Sequence, residues 1–143
     1  MAWITPTLDW DGVTAGKKYF NYEDWNRVEN NTEYLKDAIE VMGYTPAMGA
    51  INTSWDNTGI PYKSVLNRIE GNILALKDAS FEPLVWEAPK TNWVSAYDAF
   101  DYDAANRLEN NLYNLKIMFE EIQAAYLQCG HPQSICGRGN TLF

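Results

Sequence analysis

Apolar positions along this chain fall into three stripes with helical spacing. In the first, Trp25, Val28, Thr32, Leu35, Ile39 and Met42 follow one another in steps of three and four, and the second is Leu66, Ile69, Ile73 and Leu76. The third, Ala105, Leu108, Leu112, Leu115, Phe119, Ile122 and Tyr126, keeps a strict seven-residue alternation over three heptads. A mean step of 3.5 residues marks helices packed nearly parallel or antiparallel in a bundle or coiled coil. Asn21 can cap the first helix, with Asp24 in its first turn and Gly43 as its stop. The second helix is expected to begin at Pro61 or Ser64, and the third to open after Asp101 and end at Gly130.

The polar residues between the stripes repeat as well. Asn26-Arg27-Val28-Glu29-Asn30-Asn31 returns as Asn67-Arg68-Ile69-Glu70-Gly71-Asn72 and again as Asn106-Arg107-Leu108-Glu109-Asn110-Asn111. The spacings are 41 and 39 residues, and each copy leads to a Leu-Lys pair: Leu35-Lys36, Leu76-Lys77 and Leu115-Lys116. A fixed period of this size decides the architecture before any other feature does. With Trp25 at heptad position a and Val28 at d, Glu29 and Asn31 flank the apolar seam, while Asn26 and Arg27 sit further out. A generic solvent face tolerates any polar residue, so the return of the same types at the same places predicts specific partners. The backbone of the long connections, which has no ladder of its own, is the expected partner. Arg offers five donors in a fixed fork and Asn both donates and accepts. Stacking of Arg27 or Arg107 on a Trp fits the same arrangement.

The repeat is larger than its helix. Trp3-Ile4-Thr5-Pro6-Thr7-Leu8-Asp9-Trp10 has the same Trp and Pro spacing as Trp86-Glu87-Ala88-Pro89-Lys90-Thr91-Asn92-Trp93. In the middle copy only Trp55 has a counterpart, so that unit reads as degenerate. The three extra residues of the first copy fall in Asp11 to Lys18, which suits a surface loop. The connections Tyr44 to Ile60 and Ala79 to Phe100 are long for a simple bundle, and their aromatics suggest that they fold back onto the helices. The units are residues 1–43, a Trp-Pro-Trp arm plus helix; 44–79, the degenerate second copy; 80–128, the third copy; and 129–143, an irregular tail. The fold class is mainly α: a three-helix repeat bundle with long, extended, aromatic connections, its three seams stacked into one core.

Composition narrows the function more than the fold. At 143 residues the chain is long enough to bury a core, and 46% hydrophobic and 14% aromatic content argues against general disorder. A net charge of −8 opposes binding to a nucleic-acid backbone or an anionic membrane surface. No apolar run approaches a membrane span. Met1 to Pro6 lacks the basic start and apolar run of a signal peptide, so the product is expected to begin life in the cytoplasm.

Candidate chemistry is sparse. Glu29, Glu70 and Glu109 could form an acid/base or carbohydrate site, but a triplicated catalytic site is hard to motivate in a chain of this length, and pinning arm to helix is the preferred role. Cys129, His131 and Cys136 give three ligands, one fewer than a closed structural zinc site needs, so free thiols or an optional disulfide are favoured and no metal or other cofactor is expected. The lone His has no nucleophile arrangement around it. Gly137-Arg138-Gly139 is too short for a phosphate loop. The Trp residues could stack on sugars, yet the regular spacing of Trp3, Trp10, Trp55, Trp86 and Trp93 favours packing within the repeat. The apolar end Leu142-Phe143 is a candidate interface.

Trp-x-x-Pro-Lys-Thr-Asn-Trp, then Phe-Asp-Tyr, then Asn-Arg-Leu-Glu-Asn-Asn, as found between Trp86 and Leu115, resembles a segment common in tail and baseplate proteins of phages and prophages of Gram-positive bacteria. Trp10 to Leu35 is nearly as similar, Pro61 to Leu76 less so, and the ending Gly-Arg-Gly-Asn-Thr-Leu-Phe also resembles endings in such proteins. The resemblance implies a non-enzymatic part of a virion tail, baseplate or receptor-binding appendage, or of a phage-derived contractile device. Its expected partners are copies of itself in a homo-oligomer and other tail proteins. Two rival readings are a carbohydrate-binding module that recognises cell-surface glycans through Trp, and a cell-wall hydrolase using two carboxylates.

Overall fold

The computed structural model describes residues 2–58, 62–94 and 99–129, with side chains up to residue 125. Its helices are α1 (Tyr22–Val41), α2 (Lys63–Ala79) and α3 (Tyr102–Cys129), each in contact with the other two. Among the described residues there is no strand.

Local chemistry sets the helix ends. The Asn21 side chain accepts the N–H groups of Glu23 and Asp24, and the Asp24 carboxylate accepts that of Asn21 at 2.8 Å, a reciprocal capping box. At the other end Gly43 takes φ 97°, a left-handed conformation that favours glycine. Gly43 N–H then bonds Glu40 C=O and Tyr44 N–H bonds Ile39 C=O, closing a Schellman turn. α2 starts at Lys63, between the two expected positions. Its cap, Tyr62, makes no side-chain bond, so the sequence carries no strong start signal there. α3 is opened by Asp101, whose carboxylate accepts Ala104 N–H at 3.0 Å. Gly130, the expected stop of α3, lies outside the described residues.

The stripes are buried as repeat-equivalent sets. Trp25, Leu66 and Ala105 form one, Val28, Ile69 and Leu108 the next, then Thr32, Ile73 and Leu112, then Leu35, Leu76 and Leu115. Apart from Ala105 and Thr32 they belong to one core, which Ala104 joins from the third repeat. Thr32 is the polar exception, and its hydroxyl is satisfied within α1 by donation to Val28 C=O at 2.8 Å. Phe20 and Phe100 pack on Trp25, with ring centroids 4.6 and 4.7 Å away, and close this end of the core.

The path of the connections makes the helices parallel. After α1 the chain meets Asn72 of α2 at Gly49 and Ala50, then Glu29 of α1 at Asn52, then Asn26 at Trp55. It thus travels back along α1 towards the start of that helix before α2 begins. The segment after α2 does the same against Asn111, Glu70 and Asn67. The described residues of these connections carry neither helix nor strand, and their backbone is held by side chains instead of a ladder.

Gly71 stands where the other repeats have Asn30 and Asn110. It lies inside α2, and a Cβ added to it would meet nothing within 4 Å. Gly71→Ala is expected to stabilise the fold by about 0.5–1 kcal/mol through the lost backbone freedom of glycine, read as a raised denaturant midpoint at unchanged m-value.

Candidate functional site: the repeated polar junctions

Glu29, Glu70 and Glu109 are only 2%, 1% and 1% exposed. A buried carboxylate must be paired and hydrogen-bonded, and each of these is filled from two directions. Glu29 receives the Arg68 guanidinium at 2.8 and 2.9 Å and the Trp55 indole N–H at 2.7 Å. Glu70 receives Arg107 at 2.8 and 2.7 Å and the Trp93 indole at 2.7 Å. Glu109 receives Arg27 at 2.6 and 2.7 Å and the Trp10 indole at 2.7 Å. Backbone N–H groups of Asn52 and Lys90 add a further bond to Glu29 and Glu70. The guanidinium fork supplies two parallel bonds in every case.

The order of these pairs is cyclic. Arg of the second repeat joins Glu of the first, and Arg of the third joins Glu of the second. Arg27 of the first then joins Glu109 of the third, across 82 positions. The three repeats therefore close into a ring with a pseudo-threefold axis along the bundle.

The asparagines clamp the arms. Asn26, Asn67 and Asn106 accept the backbone N–H of Trp55, Trp93 and Trp10, each at 2.7 Å, and donate back to the carbonyl of the same residue at 2.9, 3.5 and 2.8 Å. Asn31 holds Ile4 in the same two-bond manner, at 2.9 and 2.8 Å, and Asn111 holds Glu87 at 3.1 and 2.6 Å. Asn72 takes Gly49 N–H at 2.7 Å and Ala50 C=O at 3.2 Å. Each arm is thus fastened to its own helix at one end and to the preceding helix of the ring at the other.

Arg107 lies over the Trp93 ring, with its guanidinium carbon 5.9 Å from the centroid. Arg27 has a second acidic partner, Asp24, at 2.8 Å. Burial raises the Glu109 carboxyl above the ordinary glutamate value, with Arg27 and Trp10 pulling it down. Burial works against the charge on Arg27, yet Glu109 and Asp24 hold that guanidinium above its usual value. Glu70 does the same for Arg107 against burial. The bidentate geometry at Glu109 is that of an ionised pair at neutral pH.

A carboxyl raised on folding binds its proton more tightly in the folded chain than in the unfolded one. Its contribution to stability therefore falls as pH rises from 4.5 through the folded value. Carbon-13 titration of the Glu109 side chain should place its midpoint above that of an ordinary glutamate. Glu109→Gln should remove this part of the dependence of stability on pH.

Several partners were not singled out by the sequence pattern. Phe20 and Phe100 each stand six residues before their motif Asn, a recurrence that was there to be read. Asn30 and Asn110 donate to Ala2 and Leu8 carbonyls at 2.8 and 3.0 Å. The middle unit, read as degenerate, makes the Asn67, Arg68, Glu70 and Asn72 junctions, while Gly71 lacks the bond that Asn30 and Asn110 make. Seven residues before Trp55, where the other arms have Trp3 and Trp86, Met48 packs against the core.

None of the six Trp is exposed: Trp10, Trp25 and Trp93 are buried, and Trp3, Trp55 and Trp86 are partly buried. Trp3 packs edge-on against Tyr34 at 5.7 Å and under Lys116 at 5.4 Å. Among the described residues no group of three His, Cys, Asp or Glu is placed to hold a metal, and no helix is long and apolar enough to cross a membrane. The side chain of Cys129, and His131, Cys136, Leu142 and Phe143, lie outside the described residues. Comparison with protein families, characterised proteins and solved structures finds no match to this chain.

Proposed function

We propose that this chain is a non-enzymatic structural component of a phage or phage-derived tail, baseplate or receptor-binding appendage, which assembles with copies of itself and with other tail proteins. The observation that carries the reading is how the recurring polar set is used. Glu29, Glu70 and Glu109, the residues that acid/base chemistry would need, are consumed in joining repeat to repeat. Three of the indoles that a sugar platform would present, those of Trp10, Trp55 and Trp93, are spent on the same carboxylates, which weighs against the glycan-binding and hydrolase readings. The resemblance of Trp86 to Leu115 to tail and baseplate segments supplies the setting. A single chain with a pseudo-threefold axis suits a particle built on rotational symmetry.

Protein mass spectrometry of purified tail particles tests this. The chain should be present in a fixed ratio to the other tail proteins, at a copy number set by the particle symmetry. Its absence from the particles, or clearing of purified cell walls by the isolated protein, would overturn the reading.

A further inference from the structure

Three grooves on the outside of the bundle occupy equivalent places, each beside the C-terminal half of one helix. Tyr34, Asp37 and Ala38 line the one on α1; Ala75, Asp78 and Ala79 the one on α2; Asn114, Ile117 and Met118 the one on α3. These are the same three positions in each repeat. On α2 the opposite wall is Thr45 and Ala47, the first residues of the segment that leaves α1. On α3 it is Glu82 to Val85, the first residues of the segment that leaves α2. The chain leaving one helix therefore lies along the outside of the next. On α1 the opposite wall is Gln123 of α3, and Val41 at the rim is 86% exposed.

We propose that the chain leaving α3, residues 130–143, docks in the α1 groove and completes this cyclic order. The junctions already obey the same order, because Arg27 and Trp10 meet Glu109 just as the corresponding residues of the other repeats meet Glu29 and Glu70. With Val28 and Ile69 aligned on Leu108, the ends of α1 and α2 stand level with Glu121 and Met118, so α3 overshoots both. The chain must come back about 12 Å from Cys129 and run about 10 Å further to reach Tyr34, at 1.5 Å per helical residue. Residues 130–143 span at most about 46 Å. Their chemistry fits the groove. Ile135, Leu142 and Phe143 offer apolar side chains to Ala38 and Val41, and Arg138 offers a cation to Asp37.

The test uses the full chain with Cys129→Ser and a nitroxide on Cys136. Backbone amides of residues 34–41 should lose peak intensity in dilute solution, while those of residues 75–79 keep theirs. Val41→Asp, at a position exposed enough to tolerate it, should restore the α1 signals. Retained intensity along α1, or loss at the α2 groove instead, would overturn the proposal. Loss that appears only when spin-labelled chains are mixed with isotope-labelled, nitroxide-free ones would also overturn it, because the groove would then receive the segment of a second copy.

Discussion

Arg107→Ala is expected to cost about 3–5 kcal/mol of folding stability, the usual penalty for stranding one partner of a buried ion pair. Glu70 is 1% exposed and keeps only the Trp93 indole and the Lys90 N–H once both guanidinium bonds are gone. Its carboxylate would have to stay charged in a water-poor place or take up a proton, and both outcomes penalise the folded state. Urea unfolding followed by Trp fluorescence reads the loss directly. Arg107→Lys should fall between parent and alanine, because an ammonium keeps the charge but not the fork. A more telling comparison removes both partners. With Arg107→Met and Glu70→Leu together, part of the loss should return, since apolar groups of similar volume often replace a buried pair at little cost, while the bonds of the Trp93 indole and the Lys90 N–H to the carboxylate stay lost. Such a result would assign the pair to fixing which helix neighbours which, more than to net stability. If Arg107→Ala unfolds at the same urea concentration as the parent, the junction carries no energetic weight.

How far the sequence reaches is clearest at these same residues. Heptad spacing placed the seam, and Asn21, Asp24 and Gly43 marked both ends of α1, because caps and periodicity are local chemistry. The register also put Glu29 and Asn31 beside the seam and Asn26 and Arg27 outside it, matching the burial of the carboxylates and inner asparagines. The closure was not legible. An open stack of repeats and a closed ring share one local pattern, and they differ only in whether the first repeat meets the last. The Arg27–Glu109 pair, 82 positions apart, decides that. Nor could spacing tell that each arm crosses from its own helix to the preceding one, because the Asn-Arg-Glu set faces both ways. The middle unit looked degenerate because Met48 stands where an indole was sought, although a flexible apolar side chain fills such a site well.

Trp10→Ala tests the closure itself. Trp10 is buried, and removing a buried Trp side chain costs about 3–5 kcal/mol. The effect should lie at the upper end of that range, because the indole is also a donor to Glu109. Packing loss and ring closure are separated by the gentler series Trp10→Phe, Trp55→Phe and Trp93→Phe. Each keeps an aromatic ring and removes one N–H bonded to a buried carboxylate, worth about 1.5–3 kcal/mol. In a closed ring the three positions are equivalent, so the three losses should be similar. In an open stack the first arm has no preceding helix, and Trp10→Phe would be nearly silent while the other two were not. Equal denaturation midpoints for the three Phe variants, each below the parent, are the result the ring requires. A silent Trp10→Phe would break the ring at its first arm and leave Arg27 as the sole side-chain link between Glu109 and the first repeat.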